Sequence, residues 1–159
     1  MSFDRRAFRN ALGCFATGIT VVTTVSDAGE TFGLTANSFS SVSLDPPLVL
    51  FCLGRSSNAL DVFTTSGRFA VNVLSETQRD LSVRFSTAIG DRWDGVEWEA
   101  WETGSPILKG CLASLDCTTE SVHDGGDHVI LVGRVKRLSS LPDGKPLLYY
   151  KGDYARLEE

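Results

Sequence analysis

Runs of apolar and β-branched residues, separated by turn-forming residues, recur along this chain and are typical of β-strands. In the run at residues 68–74, Phe69, Val71 and Val73 fall on one face, which is the period of a strand. The predicted strands cover residues 18–26, 31–36, 48–53, 68–74, 108–122 and 128–138. A turn at residues 27–30 joins the first two strands into a hairpin, and the glycine pair within residues 123–127 joins the last two.

Apolar residues at helical spacing predict three helices outside the strands. In the first helix one stripe collects Phe3, Phe8, Ala11, Leu12 and Phe15, and Gly13 ends it. Residues 57–65 are predicted to form a short second helix. Residues 76–86 form the third, with Leu81 and Phe85 one turn apart.

The run LVLFCL at residues 48–53 is apolar at every position, which indicates burial on both faces. Two prolines at residues 46–47 interrupt regular structure just before it. Because a barrel interior covers only one face, we expect a helix or a second subunit to cover the other. Residues 91–104 contain three tryptophans and are predicted to form a loop, which serves as a mobile cover or as a contact between subunits.

These elements predict a single domain, residues 1–159, of the mainly β class. Strands paired mostly in sequence order, with a few helices packed outside, describe an antiparallel β-barrel with helical caps. The chain has neither βαβ alternation nor a GxGxxG motif, so a Rossmann nucleotide site is not expected.

The charge distribution argues against nucleic acid as a partner. The chain of 159 residues has a formal net charge of -5, and its basic runs, such as residues 5–6 and 136–137, are two residues long. No apolar run approaches the roughly 20 residues of a membrane helix, and the first 13 residues lack the apolar segment of a signal peptide. The four cysteines form no CxxC pair. We therefore expect a cytoplasmic protein.

Standard catalytic motifs are scarce. The sequence contains only two histidines, too few for a histidine-rich metal site, so no metal is predicted. A nucleophilic Cys–His pair remains an alternative. A chain so poor in acid–base groups suits chemistry that a bound cofactor performs, with the protein supplying binding and orientation.

The most informative segment lies between Thr35 and Ser43, where five hydroxyls and one carboxamide stand among small residues. Small side chains let a flat ligand approach the backbone, and the polar groups can form hydrogen bonds with its edge. A serine-rich edge strand and loop would show the same composition. Composition therefore leaves both interpretations open.

The segment TANSFSSVSLDPPLV, preceded by GITVVTT and followed by FAVNVL and GDHVILVGRV, resembles the flavin reductase family with the FMN-binding split-barrel fold. The resemblance is to the short reductase components of two-component flavin-dependent monooxygenases, and it runs from about Phe8 to Tyr154. It implies an antiparallel split β-barrel of Greek-key type. It also implies a homodimer that transfers hydride from NADH or NADPH to FMN or FAD and supplies reduced flavin to a partner monooxygenase.

Two other functions remain open beside this one. The first is a flavin-binding electron-transfer or sensor protein that retains its FMN. The second is a β-barrel binding module without flavin.

The resemblance also assigns roles to individual residues. The residues that would line the flavin ring and its ribityl chain are Thr35, Ala36, Asn37, Ser38, Ser41, Ser43, Cys52 and Leu53. The phosphate would lie against Ser56, Ser57 and Asn58 at a helix N-terminus, with Arg84 as counter-charge and Phe85 beside it. Ser57 would serve equally as a plain helix cap, and Arg84 as a solvated surface residue.

His128, in the family's GDH motif, would orient the nicotinamide rather than act as an obligatory acid. The alternative is a histidine at the end of a turn that hydrogen-bonds to backbone. Tyr150 and Tyr154 match the family's closing Y-x-G-x-Y element near the pyridine nucleotide, and their rings would serve equally as core. The sequence does not separate FMN from FAD or NADH from NADPH.

Overall fold

The structure of the protein is a computed structural model that describes residues 3–87 and 90–158. Three helices and a 3₁₀ turn accompany the strands. The helical elements are α1 Arg5–Gly13, α2 Leu60–Thr65, the 3₁₀ turn Glu76–Gln78 and α3 Arg79–Ser86. The strands are β1 Thr17–Gly18, β2 Thr20–Val25, β3 Thr31–Ala36, β4 Ser40–Leu44, β5 Pro47–Gly54, β6 Arg68–Val73, β7 Trp98–Ala100, β8 Pro106–Leu108, β9 Ala113–Gly125, β10 His128–Ser140, β11 Leu148–Tyr150 and β12 Asp153–Ala155. Within the described ranges, no helix has the length and apolar character that a membrane crossing requires.

Seven strands form one antiparallel sheet in the order β3-β2-β6-β9-β10-β5-β4. Three of the six pairs of neighbouring strands are not consecutive in the chain. The predicted pairing, mostly in sequence order, is therefore only half right. The two edge strands β3 and β4 are joined by only three residues, 37–39, and a chain segment this short keeps the two edges close together. The sheet therefore curls into an incomplete barrel, which confirms the predicted antiparallel split β-barrel with few helices.

The core has two parts, one on each side of β2 and β6. Inside the barrel, the Phe51 ring lies 5.0 Å from that of Phe69 and 5.7 Å from that of Phe63. A second cluster lies on the outer side of the same strands, under α3, and includes Val21 and Phe85. Strands β2 and β6 are thus buried on both faces.

Strand β5 differs from the expectation for its apolar run. Val49, Phe51 and Leu53 are buried in the barrel, whereas Leu48, Leu50 and Cys52 point outward and remain partly exposed. No helix of the described chain buries this outward row. A second subunit over it stays a prediction.

The predicted strand 108–122 is wrong at its start. Leu108 pairs with Trp98 of β7, and the chain then turns at Gly110 with a φ of 78° before β9 begins. The side chain of Asn72, which is fully buried, accepts the N–H of Leu108 at 2.9 Å. The distant side chain of Asn72 thus binds β8. The predicted loop 91–104 contains the short strand β7.

Candidate active site

The seam between the two sheet edges is formed by residues 37–39. Asn37 is exposed, and neither its carboxamide nor the main-chain N–H groups of Asn37 and Ser38 have a partner among the described residues. The hydroxyl of Ser38 is already engaged, because it accepts the N–H of Cys52 at 2.9 Å and donates to its carbonyl at 3.1 Å. The seam therefore offers N–H donors and a carboxamide, while Ser38 fastens it to β5.

Other predicted ring-binding residues are used differently. The hydroxyl of Thr35 donates to the carbonyl of Ser82 at 2.7 Å, which holds β3 to α3. Ala36 and Leu53 point into the barrel core and are 9% and 2% exposed. Only the backbone of these two residues is therefore available to a ligand.

Ser41 and Ser43 lie on the edge strand β4, opposite Val49 and Leu48 of β5. The register shifts between the two serines, which indicates a β-bulge. Both serines extend the polar rim of the seam toward the outward face of β5, where Cys52 lies. Burial raises the pKa of the Cys52 thiol, so it remains a neutral side chain there.

A cavity of about 490 Å³ opens between β3, the turn after β5 and the loop before β7. Its lining includes Ser56, Ser57, Asn58, Gly33 and Arg92. The three residues predicted to bind phosphate thus lie together, but in a turn that precedes α2, because the helix begins only at Leu60. The hydroxyl of Ser57 accepts the N–H of Ala59 at 3.2 Å.

The cation in this cavity is Arg92 rather than the predicted Arg84. Arg92 is partly buried, and its guanidinium donates to the carbonyl of Gly33 at 2.9 Å. Arg84 is exposed, and its guanidinium donates to the carbonyl of Asp94 outside the cavity lining. No local sequence signal distinguishes Arg92, because only the tertiary fold of its loop brings it beside Ser56.

Phe85 packs against Trp93, a residue that lines this cavity. Its ring is 1% exposed and lies 5.1 Å from the ring of Trp93. A Cβ atom on Gly33 would lie 2.8 Å from the Phe85 ring, so this glycine permits the close approach. The structure thus makes Phe85 a core residue and brings Trp93 to the cavity wall.

A second cavity, of about 220 Å³, lies under the C-terminal hairpin. It is lined by Thr35, Asn37, Ser82, Tyr149 and Tyr154, together with Ile19 and Ser86. The hydroxyl groups of Tyr154 and Ser82 are 2.9 Å apart. The structure therefore places Tyr154 beside the seam, whereas Tyr150 is 41% exposed and its neighbour Tyr149 lines the cavity instead.

His128 begins β10 directly after a two-residue turn, in which Gly126 has a φ of 74°. Its Nδ1 atom lies 2.7 Å from a carboxylate oxygen of Asp127. A Cβ atom on Gly54, its cross-strand partner, would lie 3.7 Å from the imidazole Nε2 and 3.9 Å from the Ser56 hydroxyl. The imidazole therefore lies over Gly54, next to the turn that lines the larger cavity.

Arg55, which the sequence analysis did not identify, binds the turn between β9 and β10. Its main-chain N–H donates to the carbonyl of Asp127 at 2.9 Å, and its Nε donates to the carbonyl of Gly126 at 3.0 Å. Its guanidinium also pairs with Asp124. A lone arginine after a strand carries no signal in the sequence, since all its partners lie about 70 residues away.

Comparison with known proteins assigns the chain to a family. The family described as Flavin reductase like domain matches residues 12–158. The reductase subunit HsaB of a flavin-dependent monooxygenase from Mycobacterium tuberculosis is 50% identical over 157 residues, which covers 98% of this chain and 83% of the relative. The FMN reductase (NADH) SmoA of Agrobacterium fabrum is 46% identical over 153 residues, covering 96% of this chain and 86% of the relative.

A solved structure has the same fold. The NADH:FAD oxidoreductase SgcE6 of Streptomyces globisporus, in complex with NAD and FAD fragments, superposes with a TM-score of 0.92 at 38% identity. The superposition covers 98% of this chain and 93% of that one. The family match covers nearly the whole chain, relatives at 46–50% identity cover 96–98% of it, and the protein belongs to the flavin reductase family.

Proposed function

We propose that the protein transfers a hydride from NADH or NADPH to FMN or FAD at the seam of the barrel and releases the reduced flavin to a separate monooxygenase. The observation that carries this proposal is the pair of main-chain N–H groups at Asn37 and Ser38, which have no partner within residues 3–87 and 90–158. Reduction by hydride places negative charge on the polar edge of the flavin ring. Fixed N–H donors stabilise such charge without reorganisation.

The larger cavity suits the flavin phosphate. Ser56, Ser57 and Asn58 supply hydroxyl, carboxamide and turn N–H donors, and Arg92 supplies the charge. Because Arg92 lines this cavity and Arg84 does not, we assign the counter-charge to Arg92. The ring would then extend from this cavity toward the seam.

His128 and Tyr154 would orient the nicotinamide in the proposed site. Hydride transfer needs the nicotinamide stacked on the flavin at van der Waals distance, which is above all a requirement for orientation. His128 presents Nε2 over Gly54, and Asp127 fixes its other nitrogen. Tyr154 closes the opposite side next to Thr35 and Asn37. No step requires a proton from a protein side chain.

We further propose a homodimer. The outward residues Leu48, Leu50 and Cys52 of β5 lie opposite Arg134, Val132 and Ile130 of β10, which makes a partly exposed and largely aliphatic surface. Leu44 at the end of β4 is 95% exposed. A second copy of the chain packed on this surface would bury it. Sedimentation equilibrium at micromolar concentration tests this, and a monomer would contradict it.

We place the reaction in the cytoplasm, because all four cysteines are free thiols in the structure.

Steady-state NADH oxidation tests the proposed function directly. The purified protein should oxidise NADH only when FMN or FAD is added, and the rate should saturate with each flavin. A protein that stays yellow through gel filtration and does not turn over added flavin would favour the electron-transfer alternative. A rate of NADH oxidation that does not change when FMN or FAD is added would contradict the proposal.

A further inference from the structure

Helix α1 has an apolar stripe that residues 3–87 and 90–158 leave largely exposed. Phe8, Leu12 and Phe15 recur at helical spacing, and the ring of Phe3 lies 5.3 Å from that of Phe8. These four side chains are between 49% and 78% exposed, and no residue of α1 is buried. A helix of nine residues is marginal in water by itself, and an amphipathic helix normally directs its apolar face to a core. The stripe therefore indicates that α1 packs against a partner.

The outward row of β5 is a second apolar surface without a cover. Leu48, Leu50 and Cys52 are partly exposed there, opposite residues of β10. A sheet face of this kind is commonly covered by a helix, in the two-layer arrangement of helix on sheet. The chain thus has an uncovered helix stripe and an uncovered sheet face, and each is the kind of surface that the other packs against.

The stripe and the row lie next to each other on one copy of the chain. Leu12 and Phe15 line a groove of about 770 Å³ together with Ser38. The Ser38 hydroxyl donates to the carbonyl of Cys52 at 3.1 Å and accepts its N–H at 2.9 Å. Because the two surfaces are adjacent, one twofold rotation can bring each surface of one copy onto the other surface of a second copy.

The end of α1 is fixed to another part of its own chain. The N–H of Lys151, in the turn between β11 and β12, donates to the carbonyl of Gly13 at 2.9 Å. This bond holds α1 beside the C-terminal hairpin rather than over the row of its own β5. The row is therefore open to the α1 helix of a second copy.

The exposed area is consistent with such a contact. An aromatic side chain buries 150–250 Å², so the exposed parts of the stripe amount to roughly 450 Å². A stable interface covers about 800 Å² on each partner, so the stripe alone is too small. The partly exposed row of β5 and Leu44, which is 95% exposed, add to the same surface. The stripe and the row together approach the area that a stable dimer needs.

The charge of α1 favours helix on sheet over helix on helix. Helix α1, with the sequence RRAFRNALG, contains three arginines and no acid. The chain has a net charge of -5, so the rest of it has a net charge of -8. Two α1 helices packed on each other would bring six arginines together. A helix packed elsewhere on a second copy meets a surface of opposite net charge.

We propose that α1 of one copy packs with its apolar stripe on the outward row of β5 in a second copy, and that the second copy makes the same contact in return. Leu12, in the middle of the stripe, would then meet Leu50, in the middle of the row. The inference rests on the homodimer proposed above and names the helix that forms its interface. Because Ser38 lies where the two surfaces meet, the interface borders the seam.

Sedimentation equilibrium of the full-length protein tests the stripe with Leu12→Gln. This change should raise the dissociation constant of the dimer about tenfold, since a buried leucine contact is lost. Leu12 is exposed in a single copy and glutamine favours helix, so the variant should remain folded by near-ultraviolet circular dichroism. Val83→Gln, which replaces an exposed apolar residue on α3, is the matched control and should leave the dissociation constant unchanged.

Leu50→Gln tests the row in the same way and should also raise the dissociation constant about tenfold. Combined with Leu12→Gln, it should raise the constant far less than a hundredfold, because both changes remove one shared contact. A combined effect equal to the product of the two single effects would show that the stripe and the row contact different surfaces. That result would overturn the proposal.

The remaining outcomes separate the proposal from the proposed function. If the wild type dimerises and Leu12→Gln does not weaken the dimer, α1 has no role in the interface while the homodimer stands. A wild type that is monomeric at micromolar concentration would overturn both. NADH oxidation with added FMN or FAD is measured on the same preparations. If it fails while Leu12→Gln weakens the dimer as expected, hydride transfer is contradicted and the interface stands.

Discussion

Nδ1 of the His128 imidazole donates to the Asp127 carboxylate at 2.7 Å, so the residue that precedes His128 in the chain sets the orientation of the ring. An ionised carboxylate can only accept, which makes Nδ1 the donor, while Nε2 lies over Gly54. Arg55 in turn fixes the carbonyl of Asp127. The hairpin tip therefore works as a rigid support for one ring.

His128→Ala should raise the KM for NADH about tenfold, the loss of roughly one hydrogen bond or packing contact in the complex. The KM for FMN should change little, because the proposed phosphate cavity is untouched. His123→Ala is the matched control on the same hairpin, where the ring of His123 shares a hydrogen bond with Ser121. Equal effects of the two variants on NADH would count against a role for His128.

Arg55→Gln should weaken NADH binding through His128 rather than by direct contact. We expect the KM for NADH to rise about threefold to tenfold and Arg55→Lys to recover part of the loss. In the His128→Ala background the same change should have almost no effect on the KM. Additive effects would show that Arg55 acts elsewhere. Arg137→Gln, at the far end of β10, is the control.

Arg92→Gln should raise the KM for FMN about tenfold or more, because a charged donor to a phosphate contributes roughly 1.5–3 kcal/mol. Turnover of riboflavin, which has no phosphate, should be unaffected by the same substitution. Arg84→Gln decides between the two arginines. If Arg84→Gln raises the KM for FMN more than Arg92→Gln does, the counter-charge is Arg84, as the family resemblance implies.

Gly33→Ala should destabilise the protein by about 1–3 kcal/mol, as expected when a methyl group is forced into a packed site. The added Cβ would meet the Phe85 ring at 2.8 Å and Trp93 at 3.3 Å. A urea unfolding curve measures the loss. Phe85→Leu should relieve part of it in the double variant, and an undiminished loss would show that the strain lies elsewhere.

The buried thiols should resist alkylation in the native protein. Burial raises the pKa of Cys117 to about 12 and that of Cys111 to about 11. A thiol pKa that is raised on folding stabilises the protein below the ordinary thiol pKa and loses that contribution as the pH rises toward the folded value. The free energy of unfolding should therefore fall above about pH 9. In the native protein at pH 8, iodoacetamide should modify Cys14 first and Cys52 slowly.

Mass spectrometry of the alkylated peptides counts the modified thiols. The denatured protein should show four and the native protein at most two. Rapid labelling of Cys117 in the native state would contradict the packing of the barrel core.

Local patterns were enough to predict several elements of the fold. The β-branched run in β2, the glycine turn before His128 and the apolar stripe that ends at Gly13 each depend on neighbours in sequence. These predictions succeeded because the interactions that decide them span a few residues. The split barrel, in contrast, was implied by the resemblance to the flavin reductase family rather than by local patterns.

Long-range interactions decided the parts that the sequence analysis missed. Strand β8 pairs with β7 and is held to β6 by Asn72, 36 residues earlier, which accepts the N–H of Leu108. Arg92 and Arg84 are chemically equal in sequence, and only the path of the loop brings Arg92 beside Gly33. The outward row on β5 was expected to be covered, yet a single chain does not show what covers it.

The three residues between β3 and β4 carry the proposed ring-binding donors and also span the gap in the barrel. Occupation of these donors therefore acts on the weakest line of the sheet, where two edges face each other without a ladder of hydrogen bonds. A bound flavin should slow amide hydrogen exchange along both edges, well beyond the residues that it touches. In such a protein, each round of binding and release stiffens and then relaxes the barrel as a whole.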